Sequence, residues 1–128
     1  METASAARPY VVGVGAANLD IHGRPKKAIV MHDSNPGHMN ASAGGVTRNV
    51  CDNLARLGAD VRLISAVGTD LYADVIRQEC TAAGIDVSQL CVAPGCASST
   101  YLSILDEHGD MLVALSDMTV LQEHLTPE

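Results

Sequence analysis

The sequence has no phenylalanine and no tryptophan, and aromatic residues make up only 2% of it. Its core must therefore be Val, Leu, Ile, Ala and Met. Such a core suits Val/Ile strands lying under Ala/Leu helices in an α/β layer arrangement. Basic residues are also scarce: eight Lys and Arg against fifteen Asp and Glu leave a formal net charge of −7. That balance argues for no nucleic acid and no anionic membrane as a partner. No apolar run approaches the roughly 20 residues needed to cross a bilayer. Residues 1–9 hold Glu2 and small side chains where a signal peptide would carry an apolar segment. A cytoplasmic protein is expected, with residues 1–9 as a disordered N-terminus. Cysteine pairs at metal-binding spacing are missing as well. Cys51, Cys80, Cys91 and Cys96 form no Cys-x-x-Cys, and His22, His32, His38, His108 and His124 are scattered. No metal site is expected, and the four thiols read as buried and reduced.

What is present is enough for one domain: 128 residues, 47% of them hydrophobic. Tyr10 to Ala16 is short and nearly all apolar, the pattern of a buried parallel strand. It runs into Ala17-Asn18-Leu19-Asp20, at the strand end where open α/β sheets bind ligands. Ile21 to Met39 is polar and carries Pro25, Pro36, Gly23 and Gly37, which reads as a strand pair or lid outside the main sheet. Val46, Val50, Leu54 and Leu57 mark one helical face over Gly44 to Leu57, with Gly58 as its stop. Asp60 to Val67 reads as a sheet strand. Thr69 or Asp70 caps a second helix, with Leu71, Val75, Ile76, Cys80 and Ala83 apolar, and Ile85 to Val92 returns to the sheet. Ser98–Leu105 and Met111–Leu115 form a hairpin around Gly109, and the tail from Ser116 starts a helix.

The chemistry-bearing residues lie early. Gly13-x-Gly15-x-x-Asn18 fails as a dinucleotide fingerprint, because Asn18 replaces the third glycine and no helix opening follows. Gly44-Gly45 at a helix entrance leaves backbone N–H groups bare to a ligand. Asn49 in the first turns adds a donor and an acceptor, and Asp20 an acceptor-only carboxylate able to hold two vicinal hydroxyls. That set suits a polyol better than a phosphate or a metal. Taken singly, Asp20 is equally a turn cap and Asn49 an exposed helix residue.

Gly44, Gly45, Asn49, Gly58 and Gly68 resemble the first signature of the ribokinase-like (PfkB) carbohydrate kinases. Gly15-Ala16-Ala17-Asn18-Leu19-Asp20 is similar to that family's strand-end element. Thr47 and Cys51 depart from the usual residues, but both are small. Within the family, Asp33-Ser34-Asn35-Pro36-Gly37, Gly44-Gly45-Val46-x-Arg48-Asn49, Ser99-x-Tyr101-Leu102-Ser103 and Ser116-Asp117-Met118 look most like the pseudouridine kinases. The resemblance implies an α/β fold of ribokinase-like type, with a mostly parallel sheet, flanking helices and a small β lid near 21–43 and 98–115. It implies that Asn18, Asp20, Gly44, Gly45 and Asn49 hold ribosyl hydroxyls. Ser34, Asn35, Tyr101 and Asp117 are weaker candidates for touching the base. A homodimer through the lid is a further implication.

The family's second signature, a catalytic Asp after a Gly-Ala-Gly anion hole, has no counterpart in the sequence. The general base and the N–H groups that steady a transferring phosphoryl are therefore missing. The chain is expected to be the N-terminal portion of a kinase that uses ATP and Mg²⁺ in its full-length form. By itself it is expected to be inactive and to bind neither. Two other readings stand beside this one: a non-catalytic dimerisation or sugar-binding fragment, and a kinase for ribose, a hexose or a conventional nucleoside.

Overall fold

The computed structural model describes residues 8–127. The expected disorder of residues 1–9 falls mostly outside this range. Twelve elements follow in order: β1 (Tyr10–Val14), β2 (Asn18–Pro25), β3 (Gly37–Gly44), α1 (Val46–Arg56), β4 (Asp60–Ile64), β5 (Ala66–Val67), α2 (Leu71–Ala82), β6 (Ile85–Asp86), β7 (Cys91–Val92), β8 (Thr100–Leu105), β9 (Met111–Asp117) and α3 (Thr119–His124).

They make three sheets. β1, β4 and β6 form a parallel sheet in the order β1-β4-β6, β5 and β7 a short parallel pair, and β3-β2-β8-β9 a four-stranded mixed sheet. The parallel pairing is as expected, but the segment 85–92 is split between two sheets. Ile85 pairs with Val61 and Cys91 with Ala66. The division falls at Ser65, a fully buried residue whose hydroxyl accepts from the Ala17 N–H at 3.2 Å and whose carbonyl accepts from the Cys91 N–H at 2.8 Å. Val61, Leu63, Val67, Ile76, Cys80 and Ile85 fill the main core. Burying each large aliphatic among them contributes about 1.5–3 kcal/mol. Val120 of α3 closes a smaller cluster with Ala66 and Ala93.

Two expectations about burial are corrected. β1 is parallel but not buried: Tyr10, Val11, Val12 and Val14 are exposed, because the strand lies at the edge of its sheet. On α1, Val46, Val50 and Leu57 face outward. The buried residues are Arg48 and Cys51, with Leu54 and Ala55 packed alongside. The outward stripe is the more apolar, yet the inward one meets β1, where a Cβ on Gly13 would overlap the Cys51 sulfur. The four thiols are free, but only Cys51 and Cys80 are buried; Cys91 is exposed and Cys96 half-buried. Burial pushes the Cys51 and Cys80 thiols above their ordinary range.

α2 starts at Asp70, as the sequence implies, and Asp70 does more than cap it. Its carboxylate accepts from the Ala73 N–H at 3.0 Å and from the Ser98 N–H and hydroxyl at 2.8 and 2.7 Å. Burial alone would raise its pKa; the Ser98 and Ala73 bonds outweigh that and hold it below the ordinary value. The helix start is thereby tied to the segment leading into β8. The β8–β9 hairpin turns at Gly109, whose φ of 97° favours glycine, while Asp106 accepts from the His108 and Asp110 N–H groups.

Candidate functional site

Asn18 and Asp20 lie at the start of β2, which follows β1 after the three residues Gly15, Ala16 and Ala17, and they pair across to Gly44 and Ser42 of β3. Gly45 follows as the N-cap of α1, with φ 97° and no side-chain cap. Chain order therefore brings the strand-end pair and the Gly-Gly helix entrance side by side.

The two glycines admit side chains. A Cβ on Gly44 would overlap the Asp20 carboxylate, and one on Gly45 would stand 2.6 Å from both Asn18 Oδ1 and the Ala16 carbonyl. Asn18 Nδ2 donates to Asp20 Oδ1 at 2.5 Å. Asp20 Oδ1 is thus engaged from below, and the carboxylate lies across the bare Cα of Gly44. Burial raises the Asp20 pKa above its ordinary 3.8, against the lowering effects of the Asn18 amide and the Arg48 guanidinium. A partly desolvated carboxylate held in this way favours hydroxyl donors that restore its hydrogen bonds.

Beside it lies Arg48, a residue that sequence reasoning passed over. It is 7% exposed, and its guanidinium donates to Asn49 Oδ1 at 3.3 Å and faces Asp52 at 3.5 Å. With its Oδ1 so engaged, Asn49 has its amide donors left for solvent or ligand. Arg48 Nε and Asn18 Oδ1 are buried without a hydrogen-bond partner among the described residues. Arg62 Nε and Ser99 Oγ are left so as well, so these atoms do not by themselves single out a site. Glu79 of α2 adds a further tie, accepting from the Ala43 N–H at 3.0 Å just before the glycine pair. One signal in the sequence pointed to Arg48: its spacing of three and seven residues from Cys51 and Ala55, the face that is buried.

The structure places Asn18, Asp20, Gly44, Gly45 and Asn49 together. Tyr101 joins them, as the register partner of Asp20 on β8. It does not bring the other three candidates there. Ser34 and Asn35 lie in the loop between β2 and β3, seven residues along the strand from the Asn18–Gly44 pair, roughly 20 Å away. The Asn35 side chain is occupied within that loop, bonding both backbone groups of Val30. Asp117 shares its row with Leu19 and Thr100, on the opposite face of the sheet from Asp20. Its carboxylate accepts from the Thr119 N–H and hydroxyl at 3.0 and 2.7 Å; those bonds form a local turn just before α3 and hold it below the ordinary carboxylate range. That opposite face is apolar. Met39, Ile104 and Val113 line an open cavity of about 630 Å³, bordered by Ile29 to Asp33 and Asn35 of the β2–β3 loop.

The chain matches the model of the pfkB family of carbohydrate kinases over residues 8–127. It belongs to that family. It is 42% identical over 113 residues to a pseudouridine kinase of Escherichia coli K12, covering 88% of this chain and 36% of that protein. It is 41% identical over 119 residues to an uncharacterized sugar kinase, YeiI, of the same organism, covering 93% of this chain and 33% of that one. Among solved structures, a carbohydrate kinase from Agrobacterium tumefaciens superposes with a TM-score of 0.83 at 29% identity, covering 88% of this chain and 36% of its own. The fold is thus ribokinase-like α/β. The chain spans about a third of the length of the curated relatives it matches. No helix among the described residues is long and apolar enough to cross a membrane.

Proposed function

We propose that this chain is the sugar-holding part of a pfkB kinase that phosphorylates the ribosyl 5′-hydroxyl of pseudouridine in the cytoplasm. Asp20 accepts from two vicinal hydroxyls, Asn18 holds that carboxylate in place, and the Asn49 amide donates to a sugar oxygen. The observation that carries this reading is the partly desolvated Asp20 carboxylate, held by Asn18 Nδ2 across the bare Cα of Gly44 at the entrance of α1. Similarity to a pseudouridine kinase supports the substrate, and near-equal similarity to YeiI keeps ribose and other sugars as the second reading.

No Gly-Ala-Gly-Asp occurs in the sequence, so the base and the anion hole that would work with ATP and Mg²⁺ are not among these residues. The 128-residue chain, given ATP, Mg²⁺ and pseudouridine, is therefore expected to release no ADP above background, while saturation-transfer NMR shows pseudouridine bound. Robust turnover would overturn the roles assigned here.

The apolar face of the four-stranded sheet, with Met39, Val113 and Leu115 exposed, is read as a contact between two copies. Sedimentation equilibrium at twice the chain mass of 13.3 kDa supports this, and a single chain mass at high concentration removes it.

A further inference from the structure

The four-stranded sheet has one polar face, and Asp20 is only its first row. Cross-strand partners share a face. The first row is therefore Ser42, Asp20, Tyr101 and Ser116, and the next is Asn40, His22, Ser103 and Ala114. The second row stands about 7 Å further along β2, two residues on. A group attached to a sugar at Asp20 and directed along β2 would meet that row.

The second row contains a preset donor. Ser103 is 1% exposed, and its hydroxyl has one hydrogen-bond partner among the described residues, His22 Nδ1 at 2.5 Å. A buried O–H left without an acceptor is costly, so the hydroxyl donates to Nδ1. That fixes the neutral ring as the Nε2–H tautomer. Nε2 has no partner among the described side chains, and His22 is only half-buried. Tyr101 borders the same space. Its hydroxyl donates to Met111 Sδ at 3.3 Å, so the side chain leans along β8 past the small Ser103–Ala114 row. Asn40 supplies an amide across from His22.

We propose that His22, held by Ser103, determines specificity by donating its Nε2–H to a carbonyl oxygen of a pyrimidine-dione base, so that a nucleoside is selected over its free sugar. The assignment rests on the reading of Asp20 as the sugar-holding group. Its chemistry demands an acceptor on the base edge that faces the sheet, which the carbonyls of pseudouridine provide and ribose lacks.

The test measures Kd for pseudouridine and for D-ribose on the 128-residue chain and three variants by NMR titration. His22→Leu is expected to weaken pseudouridine about tenfold while ribose changes less than about twofold, collapsing the selectivity. His22→Gln, whose amide nitrogen sits near the Nε2 position, should restore most of it; His22→Asn, whose amide sits near Nδ1, should not. A general loss of fold would weaken both ligands and would not be rescued by Gln alone. If pseudouridine and ribose both bind and His22→Leu leaves their ratio unchanged, the role of His22 is overturned while the sugar site stands. If neither ligand binds the unaltered chain, the sugar-site reading fails and this assignment falls with it.

Discussion

Asp20→Asn is expected to weaken sugar binding severely while making the protein more stable. Asparagine keeps an oxygen to accept from Asn18 Nδ2, so the local hydrogen bond survives. It removes the charge that burial disfavours. The Asp20 pKa is raised in the folded state, so the sign of the effect is fixed. Below about pH 3.8 the carboxyl is protonated in both states and costs nothing. As pH rises through the folded pKa, the folded state must lose that proton in a partly dry place, and stability falls. The melting temperature of Asp20→Asn should therefore exceed that of the unaltered chain at neutral pH, and the gap should close in acid. Binding moves the other way. An amide presents one acceptor where the carboxylate offers several lone pairs, and its bonds are neutral. Affinity for pseudouridine should fall at least about thirtyfold, or about 2 kcal/mol. If Asp20 were only a turn cap, its replacement would cost on the order of 1 kcal/mol of stability and leave binding intact.

Gly44→Ala should act on the same carboxylate from beneath. The added methyl would overlap the Asp20 carboxylate, the mobile end of a side chain, so the backbone need not move. The fold should survive with a stability change within about 1 kcal/mol, and pseudouridine affinity should fall at least tenfold because Asp20 is displaced. Gly45→Ala is the contrasting case. There the methyl meets the Ala16 carbonyl, and φ is 97°, so the strain has no soft outlet. It should cost roughly 1–2 kcal/mol for the backbone conformation alone. In a double-mutant cycle, Gly44→Ala should add almost nothing once Asp20 is already Asn. Additive losses would mean that Gly44 touches the ligand directly.

These expectations also show where the sequence was legible. The glycine pair, Asn18 and Asp20 stand together as their spacing suggested, and turn chemistry at Asp70 and Gly109 came out as read. The physical role of the glycines was not legible. Their missing Cβ atoms look like openings for ligand backbone contacts, and only coordinates show Asp20 and Asn18 filling that space. The buried face of α1 was misread because hydrophobicity pointed to Val46, Val50 and Leu57, while the inward face carries Arg48 and Cys51 next to the site. Ser34, Asn35 and Asp117 are candidates for the base because they lie in or beside the lid segments, and membership of a lid does not say which face a side chain takes. Strand alternation puts Asp117 on the face away from Asp20, and Asn35 is bonded to Val30 within the loop at the far end of β2.

The most direct test of the central claim is a residue-resolved ¹H–¹⁵N NMR titration of the chain with pseudouridine, repeated with 2′,3′-dideoxyuridine, which lacks the vicinal hydroxyls. The account predicts saturable shifts at Asn18, Asp20, Gly44, Gly45 and Asn49 with pseudouridine, and their loss with the dideoxy compound. Equal shifts with both compounds, or shifts confined to the cavity on the opposite face of the four-stranded sheet, would contradict it.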